Sequence, residues 1–410
     1  MIASSRKLKQ TTLLPQRAPQ GPGPLRKLLF ECKDRRGREN KRLSFIKRAI
    51  RESPPRKIIK SIVGAIHESP AKYEKNYKNT YTRKEETTMK LSVLANLYGQ
   101  KSLEETLQIL TGLGVHTVEL GAGGYPGKAH CNPEELLADE NKYNEFIALL
   151  KKYDVEVCAL AAHGNAIHPN KEIAAQYDKD FRNAVLLAEK MGIDTIITFS
   201  GCPGDCETAK YPNWVTCAWP DDYLAIKEWQ WNEKLIPYWK EAGAFALAHN
   251  VPHIAFEMHP GFCVYNPETL LALREAVGPV LGANFDPSHL IWQGIDPVAA
   301  IRELEGAIYH VHAKDTKIDK YNVAKNGVLD TKHYSDELHR AWVFRTVGYG
   351  NDEIYWRDLV SNLRLCGYDR VLSIEHEDSV MSIDEGLRKA VSFIKGIIIE
   401  EEKPTTMAWA

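Results

Sequence analysis

The stretch HIAFEMHPGFCVYNPETLLALREAVGPVLGANFDPSH, residues 253–289, decides the fold class. Its apolar runs at 253–257 and 281–285 are typical of short buried strands, and the segment NPETLLALREAVG between them has the apolar spacing of a helix that ends at a glycine. Two strands joined by one helix form a βαβ unit with parallel strands. Glu257 closes the first strand and Asp286 directly follows the second, so the unit carries a carboxylate at the end of each strand.

The same alternation of strand and helix continues on both sides of this unit. We predict eight strands, at 91–95, 117–120, 155–161, 195–199, 253–257, 281–285, 308–312 and 371–375. Eight such repeats in about 320 residues predict an α/β fold, a (β/α)8 TIM barrel. Long loops are expected after the fourth strand, at 201–231, and after the seventh, at 313–354. A doubly wound open sheet is the alternative, although no GxGxxG follows the first strand.

Charge is divided unevenly along the chain. The 410 residues contain 53 Lys+Arg and 54 Asp+Glu, a net charge of −1. Residues 1–88 contain 23 basic and 8 acidic residues (+15), so residues 89–410 contain 30 and 46 (−16). No stretch reaches the roughly 20 uncharged apolar residues of a membrane helix, and the start lacks the apolar core of a secretory signal. We therefore expect a cytoplasmic protein without a membrane partner.

Residues 1–88 are expected to be a basic, disordered segment ahead of a catalytic domain at 89–410, because all nine Trp lie after residue 88. Three interpretations remain open: a nucleic-acid-binding arm, an organelle transit peptide, or upstream DNA translated from a start codon assigned too early. The last is favoured by Lys84-Glu85, which can be encoded as AAGGAG, a bacterial ribosome-binding sequence. Only three codons separate this pair from Met89, the start expected in that case.

Polar side chains collect at the C-terminal ends of the predicted strands, where TIM barrels carry their active sites. They are His163, Glu257, His259, Asp286, His289, His310, His312, Lys314 and Glu375. Adjacent strands lie about 4.8 Å apart, so Glu257, Asp286 and Glu375 would repel one another unless a cation lay between them. Carboxylate oxygens with the imidazole of His312 suit Mn²⁺, Mg²⁺, Co²⁺ or Zn²⁺. His310 lies deeper in its strand and is expected to be a packed residue.

The motifs FEMHP, NFDPSH, HVHAKD, VGYGNDEIYW and YDRVLSIEHED resemble the xylose isomerase-like TIM-barrel superfamily. The resemblance is to its sugar (phosphate) isomerase/epimerase branch, which includes ketose 3-epimerases and inosose-processing enzymes, and it extends from Met89 to about Ile399. It implies that Glu257, Asp286, His312 and Glu375 bind one divalent metal, with Mn²⁺ favoured. It also implies that the two glutamates shuttle a proton on a ketosugar through a cis-enediolate, as in an epimerase or isomerase.

Further residues are assigned to the substrate. His163, His259, His289, Lys314 and Arg345 are expected to contact it, and Trp214 and Trp219 of the first long loop are expected to provide a stacking face. Loops of this length are uncommon unless they are functional, although a subunit interface would also explain them. By analogy with the family we expect a homo-oligomer.

Three other functions remain as alternatives. The first is a lyase acting on 3-keto-glycosides, which would expel an attached aglycone and could require a small partner subunit. The second is an apurinic-site endonuclease with three zinc ions, but the stretch after the seventh strand offers only Asp330-x-x-His333, and an acidic body disfavours nucleic acid. The third is a sugar-binding protein without catalysis, which need not keep three carboxylates at the strand ends.

Overall fold

The computed structural model describes residues 88–402. The predictions made for residues 1–88 lie, apart from Thr88, outside the described residues. Eight parallel strands close into a barrel in the order β1-β10-β7-β6-β5-β4-β3-β2, with helices between them. The prediction of a (β/α)8 barrel is therefore confirmed.

The barrel strands agree with the predicted ones to within one residue at nearly every end. They are β1 (Lys90–Leu94), β2 (Thr117–Gly121), β3 (Glu156–Ala161), β4 (Thr195–Thr198), β5 (His253–Glu257), β6 (Leu281–Phe285), β7 (Ile308–Ala313) and β10 (Val371–Ile374). Strands β8 (Asp315–Ile318) and β9 (Trp342–Arg345) form a separate antiparallel pair.

Twelve α-helices are described between residues 88 and 402, together with a 3-10 helix at Ala95–Tyr98 and a π-helix at Gln230–Leu235. They are α1 (Leu103–Gly112), α2 (Pro133–Ala138), α3 (Glu140–Lys152), α4 (Lys171–Met191), α5 (Asp222–Trp229), α6 (Ile236–Ala248), α7 (Pro267–Val277), α8 (Pro287–Gln293), α9 (Pro297–Glu303), α10 (Lys320–Asn326), α11 (Glu353–Leu365) and α12 (Ile383–Lys395). Many begin at an Asn, Asp or Ser whose side chain accepts a bond from the first turn, as Asn170 does for α4. None of these helices is both long enough and apolar enough to span a membrane.

Successive side chains along each strand point to opposite faces of the sheet, so the core has two parts, one outside the barrel and one inside it. Residues such as Val118 and Val311 point outward and join the large apolar cluster between sheet and helices. A small cluster of Leu94, Ala159, Ala161, Ile197 and Ala255 fills part of the barrel interior. Such small side chains leave room above and beside them, and the remaining interior positions carry buried polar groups.

Both predicted long loops contain more structure than expected. Helix α5 begins at Asp222, so the loop after β4 covers only residues 199–221. No residue of α5 is buried, and only Ile226 and Trp229 are half-buried. The segment 313–354 is likewise not a plain loop, because it contains β8, α10 and β9.

Asp315 ties the end of this second segment to the barrel. Its buried carboxylate accepts bonds from the backbone N–H groups of Gly348, Gly350 and Asn351 at 3.0–3.1 Å and from the indole of Trp356 at 3.2 Å. Gly350 has no space for a side chain, because a Cβ would lie 2.4 Å from the Asp315 carboxylate. The motif VGYGNDEIYW is thus a cradle around one aspartate.

An ion pair lies at the opposite end of the barrel. Arg370, which precedes β10, donates to both carboxylate oxygens of Asp194, which precedes β4, at 2.6 and 2.8 Å. These two strands lie across the barrel from each other. Arg370 also contacts His253 at the start of β5 at 3.1 Å. The pair therefore links opposite strands at the end of the barrel away from the predicted site.

Candidate active site

The four residues predicted as metal ligands converge at the C-terminal end of the barrel. Glu257 closes β5, Asp286 follows β6, His312 lies in β7 and Glu375 follows β10. One ligand atom from each lies within 4.8 Å of the other three. His312 Nδ1 lies 3.0 Å from Glu375 Oε2 and 3.4 Å from Glu257 Oε2. The barrel therefore brings three carboxylates and one imidazole to a single point.

Burial and neighbouring charges shift the pKa values of these carboxyl groups. Burial, together with repulsion from Glu257 and Glu375, raises the pKa of Asp286 to about 6, although His289 and Lys314 oppose the shift. Burial and the nearby Glu257 would also raise the pKa of Glu375, but the Lys314 ammonium and His312 together lower that pKa to about 2. The cluster is thus strained electrostatically, as expected for carboxylates that share a site.

The donor atoms fit a divalent cation. Asp286 Oδ2, Glu375 Oε2 and His312 Nδ1 are buried, and none of them makes a hydrogen bond of regular geometry within the described residues, although His312 Nδ1 lies 3.0 Å from Glu375 Oε2. Buried polar atoms are normally paired, so several unpaired atoms facing one another indicate a missing ligand. Three carboxylates and one imidazole are donors that Mn²⁺, Mg²⁺, Co²⁺ and Zn²⁺ accept.

Glu119 of β2 is a residue that the sequence analysis missed. It is fully buried inside the barrel, and its carboxylate lies 3.0 Å from the Nε2 atoms of both His310 and His312. The Ser373 hydroxyl donates to it at 2.8 Å. Because Nε2 of His312 contacts Glu119, Nδ1 faces the other carboxylates, which is how buried acids orient histidine ligands. His310 is a packed residue beneath the site, as predicted.

Three further histidines surround Glu257. His163 Nε2 lies 3.1 Å from one carboxylate oxygen of Glu257, and His289 Nε2 lies 3.0 Å from the other. The His259 ring packs on His289 with their centres 4.1 Å apart. Burial, with the nearby His289, lowers the pKa of His259 to about 3, so this imidazole is neutral at pH 7.

Lys314 and Arg345 both reach the site. Lys314 is 3% exposed, its Nζ lies 2.9 Å from Glu377 Oε2 and 3.4 Å from Glu375 Oε2, and it sits 4.3 Å from the centre of the Phe344 ring. Arg345 lies at the rim, where Nη2 is 2.9 Å from Glu337 Oε2.

A cavity of about 530 Å³ opens above the cluster, within the usual range for small-molecule sites. Its aromatic wall consists of Tyr125, Phe199, Tyr334 and Phe344.

The tryptophans predicted to provide a stacking face lie elsewhere. Neither lines the cavity: Trp219 is 77% exposed, and Trp214 packs edge-on against Tyr265. The loop after β4 leaves Trp219 exposed and packs Trp214 against the apolar core, so the aromatic surface comes instead from the end of β4, from β9 and from two other loops. Phe199 directly follows β4, and its position at a strand end was a signal that sequence reasoning could have used.

Comparison with known proteins agrees with the barrel. A sequence profile described as xylose isomerase-like TIM barrel matches residues 107–397. The chain is 40% identical over 312 residues to YfiH, an uncharacterized protein of Bacillus subtilis (strain 168), and this match covers 76% of this chain and 99% of YfiH.

Solved structures share the same fold. A D-tagatose 3-epimerase-like protein has a TM-score of 0.52 and 19% identity, covering 75% of this chain and 98% of its own. A xylose isomerase-like TIM barrel protein from Mycobacterium smegmatis in complex with magnesium has a TM-score of 0.53 and 14% identity, covering 76% and 96%. The profile match over most of the described residues, together with the relative at 40% identity, shows that this chain belongs to the xylose isomerase-like TIM-barrel family.

Proposed function

We propose that the protein is a divalent-metal-dependent isomerase or epimerase of a ketosugar or sugar derivative, with Glu257 and Glu375 as its acid/base pair. The observation that carries the proposal is the convergence of these two carboxylates, from β5 and β10, on His312 Nδ1 beneath an aromatic-walled cavity. The barrel shared with a D-tagatose 3-epimerase-like protein is consistent with this chemistry.

The metal would be held by Glu257, Asp286, His312 and Glu375. We favour Mn²⁺, with Mg²⁺, Co²⁺ or Zn²⁺ as alternatives; magnesium is the metal named for the Mycobacterium smegmatis relative. When bound, a divalent cation supplies positive charge that stabilises negative charge developing on a substrate carbonyl oxygen.

The two glutamates are held for different tasks. Glu257 contacts His163 and His289 and accepts a bond from the Asn284 amide at 3.3 Å, so its carboxylate is fixed in direction. Glu375 has the Lys314 ammonium at 3.4 Å, which favours the ionised form. One carboxylate removes the proton next to the carbonyl, the electron pair moves onto the carbonyl oxygen, and the other returns a proton on the opposite face. The result is inversion at that carbon.

A lyase acting on 3-keto-glycosides is the second candidate. It needs the same proton removal, followed by expulsion of the group attached one carbon further. The observation in its favour is the additional wall that β9 and the preceding segment contribute, where Tyr334 and Phe344 stack with centres 6.0 Å apart. Such a wall suits an attached aromatic group.

A product screen separates the two reactions. The protein, supplied with Mn²⁺, is incubated with a panel of ketosugars and 3-keto-glycosides, and the products are identified by NMR. Formation of an epimer or aldose supports the isomerase, whereas a released aglycone supports the lyase. If no compound in either class reacts while the protein is folded and metal-loaded, both proposals fail.

A further inference from the structure

The cavity wall is strongly acidic. Five carboxylates line it: Glu257, Glu337, Glu375, Glu377 and Asp378. Asp286 lies directly behind them, with its carboxylate 3.9 Å from Lys314 Nζ. The cavity also has two basic side chains, Lys314 and Arg345, and the imidazoles of His163 and His259. Even with a divalent cation bound, negative groups outnumber positive ones around the ligand.

Both basic side chains are already engaged by carboxylates. Lys314 is buried between Glu375 and Glu377, at 3.4 and 2.9 Å. Arg345 has Glu337 at 2.9 Å on one nitrogen, while its other terminal nitrogen donates to the Phe344 carbonyl at 2.8 Å and lies 3.7 Å from Asp378. Both terminal nitrogens of the guanidinium are therefore engaged, and a phosphate that bound them in two-pronged fashion would have to compete with these contacts.

The start of helix α12 does not substitute for a free cation. Helix α12 begins four residues after the lining residue Ser379, but its first turn carries Asp384 and Glu385. These carboxylates complement the positive end of the helix and repel an anion there.

The walls suit an uncharged ligand instead. Carboxylates accept hydrogen bonds from hydroxyl groups, and the faces of Phe199 and Phe344 offer apolar surface to the C–H face of a sugar. We propose that the cavity takes an uncharged polyhydroxylated carbonyl compound and excludes phosphate esters, with Glu337 as a specificity-determining residue that holds Arg345 away from anions. This inference rests on the proposed function, since it names the substrate class of that site.

Matched ligand pairs test the inference. Fructose, tagatose, psicose and sorbose are each compared with their 6-phosphate esters by isothermal titration calorimetry on the Mn²⁺-loaded protein. We expect at least one free sugar to bind about tenfold or more tightly than its ester, because like charges placed together oppose binding. Equal or tighter binding of the esters overturns the inference, and so does binding of none of the eight compounds.

The binding readout keeps this inference separate from the proposed function. A sugar that binds in preference to its ester but exchanges no proton with solvent supports the substrate class and counts against the isomerase. A sugar phosphate that binds tightly and is epimerised supports the isomerase and counts against the uncharged substrate class.

A charge variant tests the assigned determinant. Glu337→Gln frees Arg345 and is expected to raise the affinity for the phosphate ester, relative to that for its free sugar, about tenfold. The exposed Glu353→Gln serves as the matched control and should leave both affinities unchanged. If Glu337→Gln does not fold, Glu377→Gln tests the same idea by freeing Lys314. Unchanged ester affinity in a folded variant overturns the role of that carboxylate.

Discussion

The Glu119→Gln substitution removes a negative charge from beneath His312 while keeping the size of the side chain. In the wild-type chain one carboxylate faces three donors, His310 and His312 at 3.0 Å and Ser373 at 2.8 Å. An amide keeps one oxygen as acceptor but turns an NH₂ group toward at least one of these donors. A buried donor then loses its partner, and His312 loses the charge that orients it.

Two magnitudes follow from this geometry. One unsatisfied buried donor costs about 1–3 kcal/mol in the free energy of unfolding. Loss of the acid that orients a metal-ligating histidine typically lowers metal affinity by about 10–100-fold. We therefore expect Glu119→Gln to fold with reduced stability and to bind Mn²⁺ at least about tenfold more weakly.

Calorimetric Mn²⁺ titration and urea unfolding measure the two effects separately. Ser373→Ala is the matched control, because it removes one donor to the same carboxylate and leaves the negative charge beneath His312 in place; we expect it to change metal affinity by less than about threefold. The reasoning is refuted if folded Glu119→Gln binds Mn²⁺ as wild type does, or if Ser373→Ala loses as much affinity as Glu119→Gln.

Three further predictions concern stability and are measured by urea unfolding. Asp315→Asn should cost about 2–3 kcal/mol, because the carboxylate accepts three backbone N–H bonds; no loss would contradict the cradle. Arg370→Met should cost about 2–3 kcal/mol by removing the two guanidinium bonds to the Asp194 carboxylate, whereas Arg357→Ala in an exposed pair should cost under about 0.5 kcal/mol; equal losses would contradict this distinction. Burial alone would raise the pKa of Asp194, but His253 and Arg370 hold that pKa below its usual value. The excess free energy of unfolding of wild type over Asp194→Asn should therefore be complete above about pH 4 and shrink as the pH falls below it. An excess that does not change with pH would contradict the assignment.

The ligand cluster was predictable because it depends on periodicity alone. Once the strands at 253–257 and 281–285 are recognised, parallel pairing in a barrel brings Glu257 and Asp286 to the same end. The same argument applies to His312 and Glu375 in the neighbouring strands. No contact between distant loops is needed for this inference.

Glu119 was not predicted as a site residue, because only the ends of the strands were considered and Glu119 lies inside the barrel. It lies in the middle of β2, two residues before the strand ends, and the period of two points it inward between Val118 and Leu120. A single acid within an apolar strand was the available signal. Its partners come from β7 and β10, far away in sequence, so only the closed barrel identifies them.

The direction of the loops could not be read from composition. Trp214 and Trp219 were expected to provide a stacking face, but the path of a loop depends on tertiary contacts, which leave no periodic pattern in the sequence. Phe344 was not predicted to line the cavity, but it does so. It reaches the cavity because Trp342–Arg345 pairs with Asp315–Ile318, a register that a four-residue strand does not reveal by itself.

Hydrogen–deuterium exchange into a carbonyl substrate tests the central claim most directly. A ketosugar or keto-glycoside from the screen is followed by ¹H NMR in D₂O with Mn²⁺-loaded wild type, Glu257→Gln, Glu375→Gln and the control Glu353→Gln. We expect loss of the proton next to the carbonyl with wild type and the control, and a rate at least about 100-fold lower in the other two variants. Full exchange in both Glu257→Gln and Glu375→Gln would contradict it.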